Sequence, residues 1–156
     1  MTKPRILASK CLGFAACRWD GSSRPDKFID KLKGRIDFVT VCPEIEIGLG
    51  VPRSTIEIVV KKDRPRLVQP DTNRDLTRAM KAFTKRYLDS LGEIDGCIMK
   101  ANSPSCDLAR GFFGTEVAKR FPRIPIETET NLKDSKRRKK FLKKVVGTVP
   151  RMLLYM

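Results

Sequence analysis

The chain has 156 residues, 40% of them apolar, and its 33 basic and 18 acidic side chains leave a net charge of +15. That length is about one domain, and no apolar run approaches the ~20 residues of a membrane-spanning helix. Histidine is absent, which excludes Ser-His-Asp and Cys-His catalysis and every zinc site that requires an imidazole. The N-terminal Met1-Thr2-Lys3-Pro4-Arg5 leads into only a few apolar residues, so no signal peptide is expected and residence is expected to be cytoplasmic. Five cysteines, an odd number in a chain of this size, do not fit a secreted disulfide scaffold.

Strand and helix patterns alternate along the chain. A first strand near Arg5 to Ser9 ends at Cys11, and a polar loop carries Asp20-Gly21-Ser22-Ser23. Pro25 opens an amphipathic helix with Phe28, Ile29 and Leu32 on one side, and Gly34 stops it. A second strand, Ile36 to Val41, leads into Cys42-Pro43-Glu44, with Glu44 in the strand-end loop. Thr55 to Val60 alternates and is β-branched, and Arg66 to Val68 is placed to pair with it as a hairpin.

The clearest helix runs from about Asn73 to Leu91, where Leu76, Ala79, Met80, Phe83, Tyr87, Leu88 and Leu91 share one face. Gly96 to Met99 reads as a third core strand and contains Cys97, which is expected in the core. A loop with Ser103-Pro104-Ser105-Cys106 follows, then a helix from Thr115 to Phe121, a short strand at Pro125-Ile126 and a closing basic helix over about 133–146. No repeat or linker interrupts the series. The fold class expected is α/β, a single domain over 1–156 with a mostly parallel sheet flanked by helices.

Cys11, Cys42 and Cys106 each follow an apolar, strand-like run. If those runs are neighbouring parallel strands, their carboxyl ends lie on one edge, the edge where open α/β sheets bind ligands. Three soft thiolates without histidine suggest an iron–sulfur cluster with one iron left open, placed at the carboxyl ends of the strands. Closely spaced Cys-x₂-Cys runs are lacking, and small buried hydrophobes are the competing reading of the same cysteines. Cys17, before Arg18-Trp19-Asp20, is left outside the ligand set. Glu44 has the chemistry of a general base or acid, and equally of a solvated loop carboxylate. Ser103 could bond substrate or simply turn the loop. Arg110 to Thr115 is a glycine-bearing loop before a helix, where amides near Gly114 could hold a phosphate.

Four blocks in register, Ser9-Lys10-Cys11-Leu12, Cys17-Arg18-Trp19-Asp20-Gly21, Val41-Cys42-Pro43-Glu44 and Ser103-Pro104-Ser105-Cys106, resemble the thiouracil desulfidase (TudS-type) family. The likeness runs from near Ile6 to about Glu129. It implies a [4Fe-4S] cluster held by Cys11, Cys42 and Cys106, with Glu44 as catalytic carboxylate and Ser103 as catalytic serine, acting to remove sulfur from thiolated uracil compounds. The chain departs from the family pattern at Leu12-Gly13-Phe14, where Leu-Leu-Gly is common, and at Asp107, where glycine is common. Both departures bear on pocket shape and substrate choice.

The positive charge favours a phosphorylated substrate, so 4-thiouridine monophosphate is expected ahead of a free thiobase. Arg18, Lys100 and the amides near Gly114 are the candidate phosphate contacts. Eight basic residues from Lys133 to Lys144 against Asp134, a net +7, leave thiolated tRNA as another partner. A basic nucleic-acid-binding protein with structural cysteines is the competing class, and a cluster carrier or redox protein a third.

Overall fold

The computed structural model describes residues 3–147. Its centre is a four-stranded, wholly parallel sheet. Strand β1 (Arg5–Ser9) pairs on one side with β2 (Asp37–Val41), Leu7 opposite Val39, and on the other with β6 (Gly96–Met99), Leu7 opposite Cys97. Strand β7 (Ile126–Thr128) completes the order β2-β1-β6-β7. The expected parallel sheet is thus present, but the hairpin is not part of it. Strands β3 (Glu57–Lys61), β4 (Arg64–Gln69) and β5 (Arg74–Asp75) form a separate antiparallel sheet, so the fold is α/β with both kinds of pairing. The β3–β4 turn places Lys62 and Asp63 at φ 51° and 61°, the left-handed pair that suits the twist of a two-residue hairpin.

Alternation along β1 assigns the two faces of the parallel sheet. Leu7, with Cys97 and Met99 of β6, packs into a core with α3 (Thr77–Leu91) and α4 (Gly114–Arg120). Ile6, with Ile98, packs on the opposite side against α1 (Lys27–Leu32) and α5 (Ser135–Val146). Both faces of the central strands are therefore covered, which is why they read as unbroken apolar runs. Among the described residues no helix is long and apolar enough to cross a membrane.

Several boundaries differ from the sequence expectation for local reasons. Helix α1 starts after Pro25 because Asp26 is its cap, accepting the Ile29 N–H at 3.0 Å. Helix α3 starts at Thr77, not Asn73, because Arg74 and Asp75 pair with β4 and Asp75 Oδ1 accepts the Thr77 N–H at 3.0 Å. Helix α5 starts at Ser135, capped by Asp134, after a 3₁₀ turn over Asn131–Lys133. Glu44 lies not in an open loop but in a single-turn helix, α2 (Pro43–Glu46), with Pro43 at its first position.

Candidate active site

The carboxyl ends of β1, β2 and β6 frame one cavity of about 270 Å³. Ser9 stitches two of these ends together: its Oγ accepts the Lys100 N–H at 2.9 Å and donates to Met99 Sδ at 3.8 Å. Lys10 N–H donates to Val41 O at 2.9 Å, tying the β1 end to the β2 end. Cys11, Cys42 and Cys106, which follow these three strands, all line the cavity, and Cys17 joins them. Cys97 does not; it is fully buried within β6, as its place in the strand implied.

Three of the four cavity thiols, Cys11, Cys17 and Cys106, share an unfavourable setting for negative charge. Burial pushes Cys11 up to about 11, with Cys42 adding to the rise while Lys100 and Arg18 oppose it. Burial, and then the neighbouring Cys42 and Cys11, push Cys17 up to about 12. Cys106 is also pushed to about 12 by burial, with Cys11, Cys42 and Glu44 contributing. Sulfurs that would repel one another as thiolates are stabilised together only by a positive group between them. No three ligand-type side chains among the described residues converge closely enough to hold a single metal ion. A four-iron cluster makes a different demand, since each thiolate meets a different iron and the sulfurs need only surround a common volume. A thiol-lined cavity with no histidine fits that group by its donor set.

Glu44 reaches the cavity from α2 and is paired with Arg53. The Arg53 side chain, 4% exposed, meets Glu44 Oε2 at 2.7 Å through Nε and at 2.6 Å through Nη2. The Ser105 hydroxyl donates to Glu44 Oε1 at 3.3 Å and lies 3.1 Å from Ser103 Oγ. Ser103 Oγ itself accepts the N–H groups of Ser105 at 3.2 Å and of Cys106 at 2.9 Å. With those amides aimed at it, its one proton is free for Ser105 or for a ligand in the cavity. Asp107, a departure from the family pattern, braces the same loop: its carboxylate accepts the N–H groups of Asn102 and Ala109, both at 2.8 Å.

Among the basic candidates, Arg18 lines the cavity with a buried Nη1 that has no hydrogen-bond partner. Lys100 lines it too, but its Nζ is engaged by Glu129 Oε1 at 2.9 Å and Ala101 O at 2.7 Å. Gly114 is not among the lining residues. Its N–H donates to Ser105 O at 3.0 Å, and a side chain there would run into the carbonyls of Cys106 and Asp107. That glycine serves close backbone packing behind the Cys106 loop; its amide does not face the cavity. Arg53, Ser105 and Trp19, which is 44% exposed at the cavity wall, were not singled out from sequence. Ser105 and Trp19 stand within blocks that carry the family resemblance, whereas no sequence signal marks Arg53.

Residues 6–129 match the sequence profile of a family described as 2-thiouracil desulfurase. The Bacillus subtilis (strain 168) "Uncharacterized protein YbbK" is 32% identical over 119 residues, covering 70% of this chain and 78% of that protein. A solved structure described as a [4Fe-4S]-dependent thiouracil desulfidase, TudS, superposes with a TM-score of 0.62 at 24% identity, covering 85% of this chain and 95% of its own. That likeness is one of fold.

Proposed function

Because the chain belongs to the 2-thiouracil desulfurase family, we propose that it is a [4Fe-4S]-dependent desulfidase acting on thiolated uracil compounds, with 4-thiouridine monophosphate as preferred substrate. The observation that carries this reading is the meeting of Cys11, Cys42, Cys106, Glu44 and Ser103 on one cavity wall. The three cysteines, far apart in sequence, would hold the cluster. When bound, the cluster supplies a soft Lewis acid for the thiocarbonyl sulfur.

The reaction is a hydrolysis without net electron transfer: thiocarbonyl and water become carbonyl and hydrogen sulfide. Glu44 Oε1 is the base that takes a proton from the attacking water as the new carbon–oxygen bond forms; the carbon–sulfur bond then breaks, and the sulfur leaves as hydrogen sulfide with the two protons that the water supplied. Ser103, joined to Glu44 through the Ser105 hydroxyl, orients the pyrimidine ring and returns the proton from Glu44 along the serine pair to the departing sulfur. Arg18, with its unpartnered Nη1, offers charge-assisted hydrogen bonds to the substrate phosphate. Lys100 adds positive charge to the same wall while remaining tied to Glu129.

The test is anaerobic purification followed by iron, sulfide and activity measurements. A brown protein with about four irons per chain that releases sulfide from 4-thiouridine monophosphate supports the reading. A colourless, iron-free protein that releases none and binds nucleic acid with steep salt dependence overturns it.

A further inference from the structure

Glu44 is held unsymmetrically. Oε2 receives both the Nε and Nη2 groups of Arg53, at 2.7 and 2.6 Å, whereas Oε1 receives only the Ser105 hydroxyl at 3.3 Å. Arg53 is itself fixed from two further directions. Its Nη1 donates to Gly50 O at 2.9 Å, and its backbone N–H donates to Trp19 O at 2.8 Å. An arginine tied at its backbone to Trp19 and at Nη1 to Gly50 does not follow a wandering carboxylate. It sets where the carboxylate sits. The planar fork restrains rotation of the carboxyl group as a single ammonium would not. Two short charge-assisted bonds occupy the lone pairs of Oε2, so the open acceptor capacity of Glu44 is concentrated on Oε1, beside Ser105.

We infer that Arg53 is a positioning residue for the desulfidation, holding Glu44 so that Oε1 is the atom that takes the proton from water. This rests on the desulfidase reading and on Glu44 as the base. A direct phosphate role suits Arg53 less well than Arg18, since the Arg53 charge is compensated by Glu44 and the Arg18 Nη1 is unpartnered. Arg53 acts through another side chain, so its effect belongs in turnover and not in substrate affinity.

The experiment compares the parent protein with Arg53→Met, Arg53→Lys, Glu44→Gln and the Glu44→Gln/Arg53→Met pair. Each is measured for iron content, kcat and KM on 4-thiouridine monophosphate and on free 4-thiouracil. Arg53→Met is expected to keep its iron and to lose about 10²-fold in kcat on both substrates, near the low end for losing a well-placed base, with KM changed by less than about threefold. Arg53→Lys, which keeps the charge but not the fork, is expected to recover only part of that loss. In the Glu44→Gln background, Arg53→Met is expected to cause no further fall, because two residues acting as one unit are not additive.

A kcat within threefold of the parent for Arg53→Met overturns the inference. So does an undiminished further loss in the Glu44→Gln background, or a KM rise confined to the monophosphate, which would make Arg53 a phosphate contact. Loss of iron in Arg53→Met that Arg53→Lys fully restores would overturn it in favour of a role in cluster assembly. Full activity of Glu44→Gln refutes the base assignment, and an inactive parent refutes the desulfidase reading; either result removes the positioning role with it.

Discussion

Ser9 Oγ accepts the Lys100 N–H at 2.9 Å, joining the carboxyl ends of β1 and β6 at the point where the chain turns toward Cys11 on one side and Cys106 on the other. Ser9 is 1% exposed, and its hydroxyl also lowers the Cys106 thiol against the rise that burial causes. One buried hydroxyl therefore sets the spacing of two thiol-bearing loops. Ser9→Ala is expected to destabilise the iron-free protein by about 1–3 kcal/mol, because the Lys100 amide is left without its partner. Denaturant midpoints measure this, and an unchanged midpoint would dissociate the bond from the stability of the sheet edge.

Cys11→Ala, Cys42→Ala and Cys106→Ala are each expected to abolish iron retention and sulfide release. Cys97→Ala, by contrast, is expected to retain iron and to cost roughly 1–2 kcal/mol of stability, the scale of a small buried side chain. Iron analysis under anaerobic conditions separates the two groups. An active Cys106→Ala protein with normal iron would remove Cys106 from the ligand set and point to Cys17, which lines the same cavity.

Glu44→Gln is expected to remain brown while turnover falls by ~10²–10⁴-fold, the scale of a lost general base. Ser103→Ala should behave differently. Its Oγ accepts the Cys106 N–H at 2.9 Å, so the substitution slows turnover and also loosens the loop that carries Cys106. Iron should be present on purification but leave faster to a chelator. Equal release rates for the parent and Ser103→Ala would confine that serine to substrate handling.

Arg18 is expected to govern the choice between nucleotide and free base. The monophosphate is expected to exceed 4-thiouracil in kcat/KM by about 10–100-fold, corresponding to ~1.4–2.7 kcal/mol of extra binding. Arg18→Met should remove most of that preference and leave the reaction of the free base within about twofold. Part of the preference should fade with salt, since exposed charges are screened over ~10 Å at 0.1 M. Preferential reaction with intact thiolated tRNA would instead give the basic face of α5 a role in substrate binding.

Alkaline pH should destabilise the metal-free protein. Burial holds Cys11 at about 11 and Cys17 and Cys106 at about 12, against 9.0 for an ordinary thiol. Between these values the unfolded chain has released protons that the folded chain still holds, so the unfolded state binds fewer protons and stability falls as pH rises. The full contribution is present below about pH 9 and is lost progressively toward pH 12. Urea midpoints of the iron-free protein at about pH 8 and about pH 11 test the sign. A midpoint that rises with pH would contradict the buried, neutral state of these thiols.

The elements legible in the sequence are those whose information is local. The apolar stripe of α3 and the unbroken runs of β1 and β6 reflect one helix face and two covered sheet faces, so periodicity alone locates them. The start of α3 differs from its periodicity because Arg74 and Asp75 are drawn into pairing with β4, a contact that no local pattern records. Alternation marks the hairpin as a pair of strands, but no local pattern records its separation into a second sheet. Strand pairing is local there, whereas sheet membership depends on where the whole hairpin packs.

The candidate site divides in the same way. That Cys11, Cys42 and Cys106 line one cavity follows from a general rule, because parallel strands bring their carboxyl ends to one edge wherever they lie in the sequence. The Arg53–Glu44 pair follows from no such rule. It exists because the 48–55 loop is pinned to Trp19 by the Arg53 N–H at 2.8 Å, which turns the guanidinium inward to meet the carboxylate. Ser105 reaches Glu44 across 61 residues of chain for the same kind of reason. Residue types and their places after the strands are written in the sequence, so the meeting of Cys11, Cys42, Cys106 and Glu44 at one cavity is readable from it. The direction of each polar side chain was decided only when loops from separate elements closed over the cavity. The strength of a hydrogen bond depends on angles and distances of a few tenths of an ångström, and only the packed chain defines those.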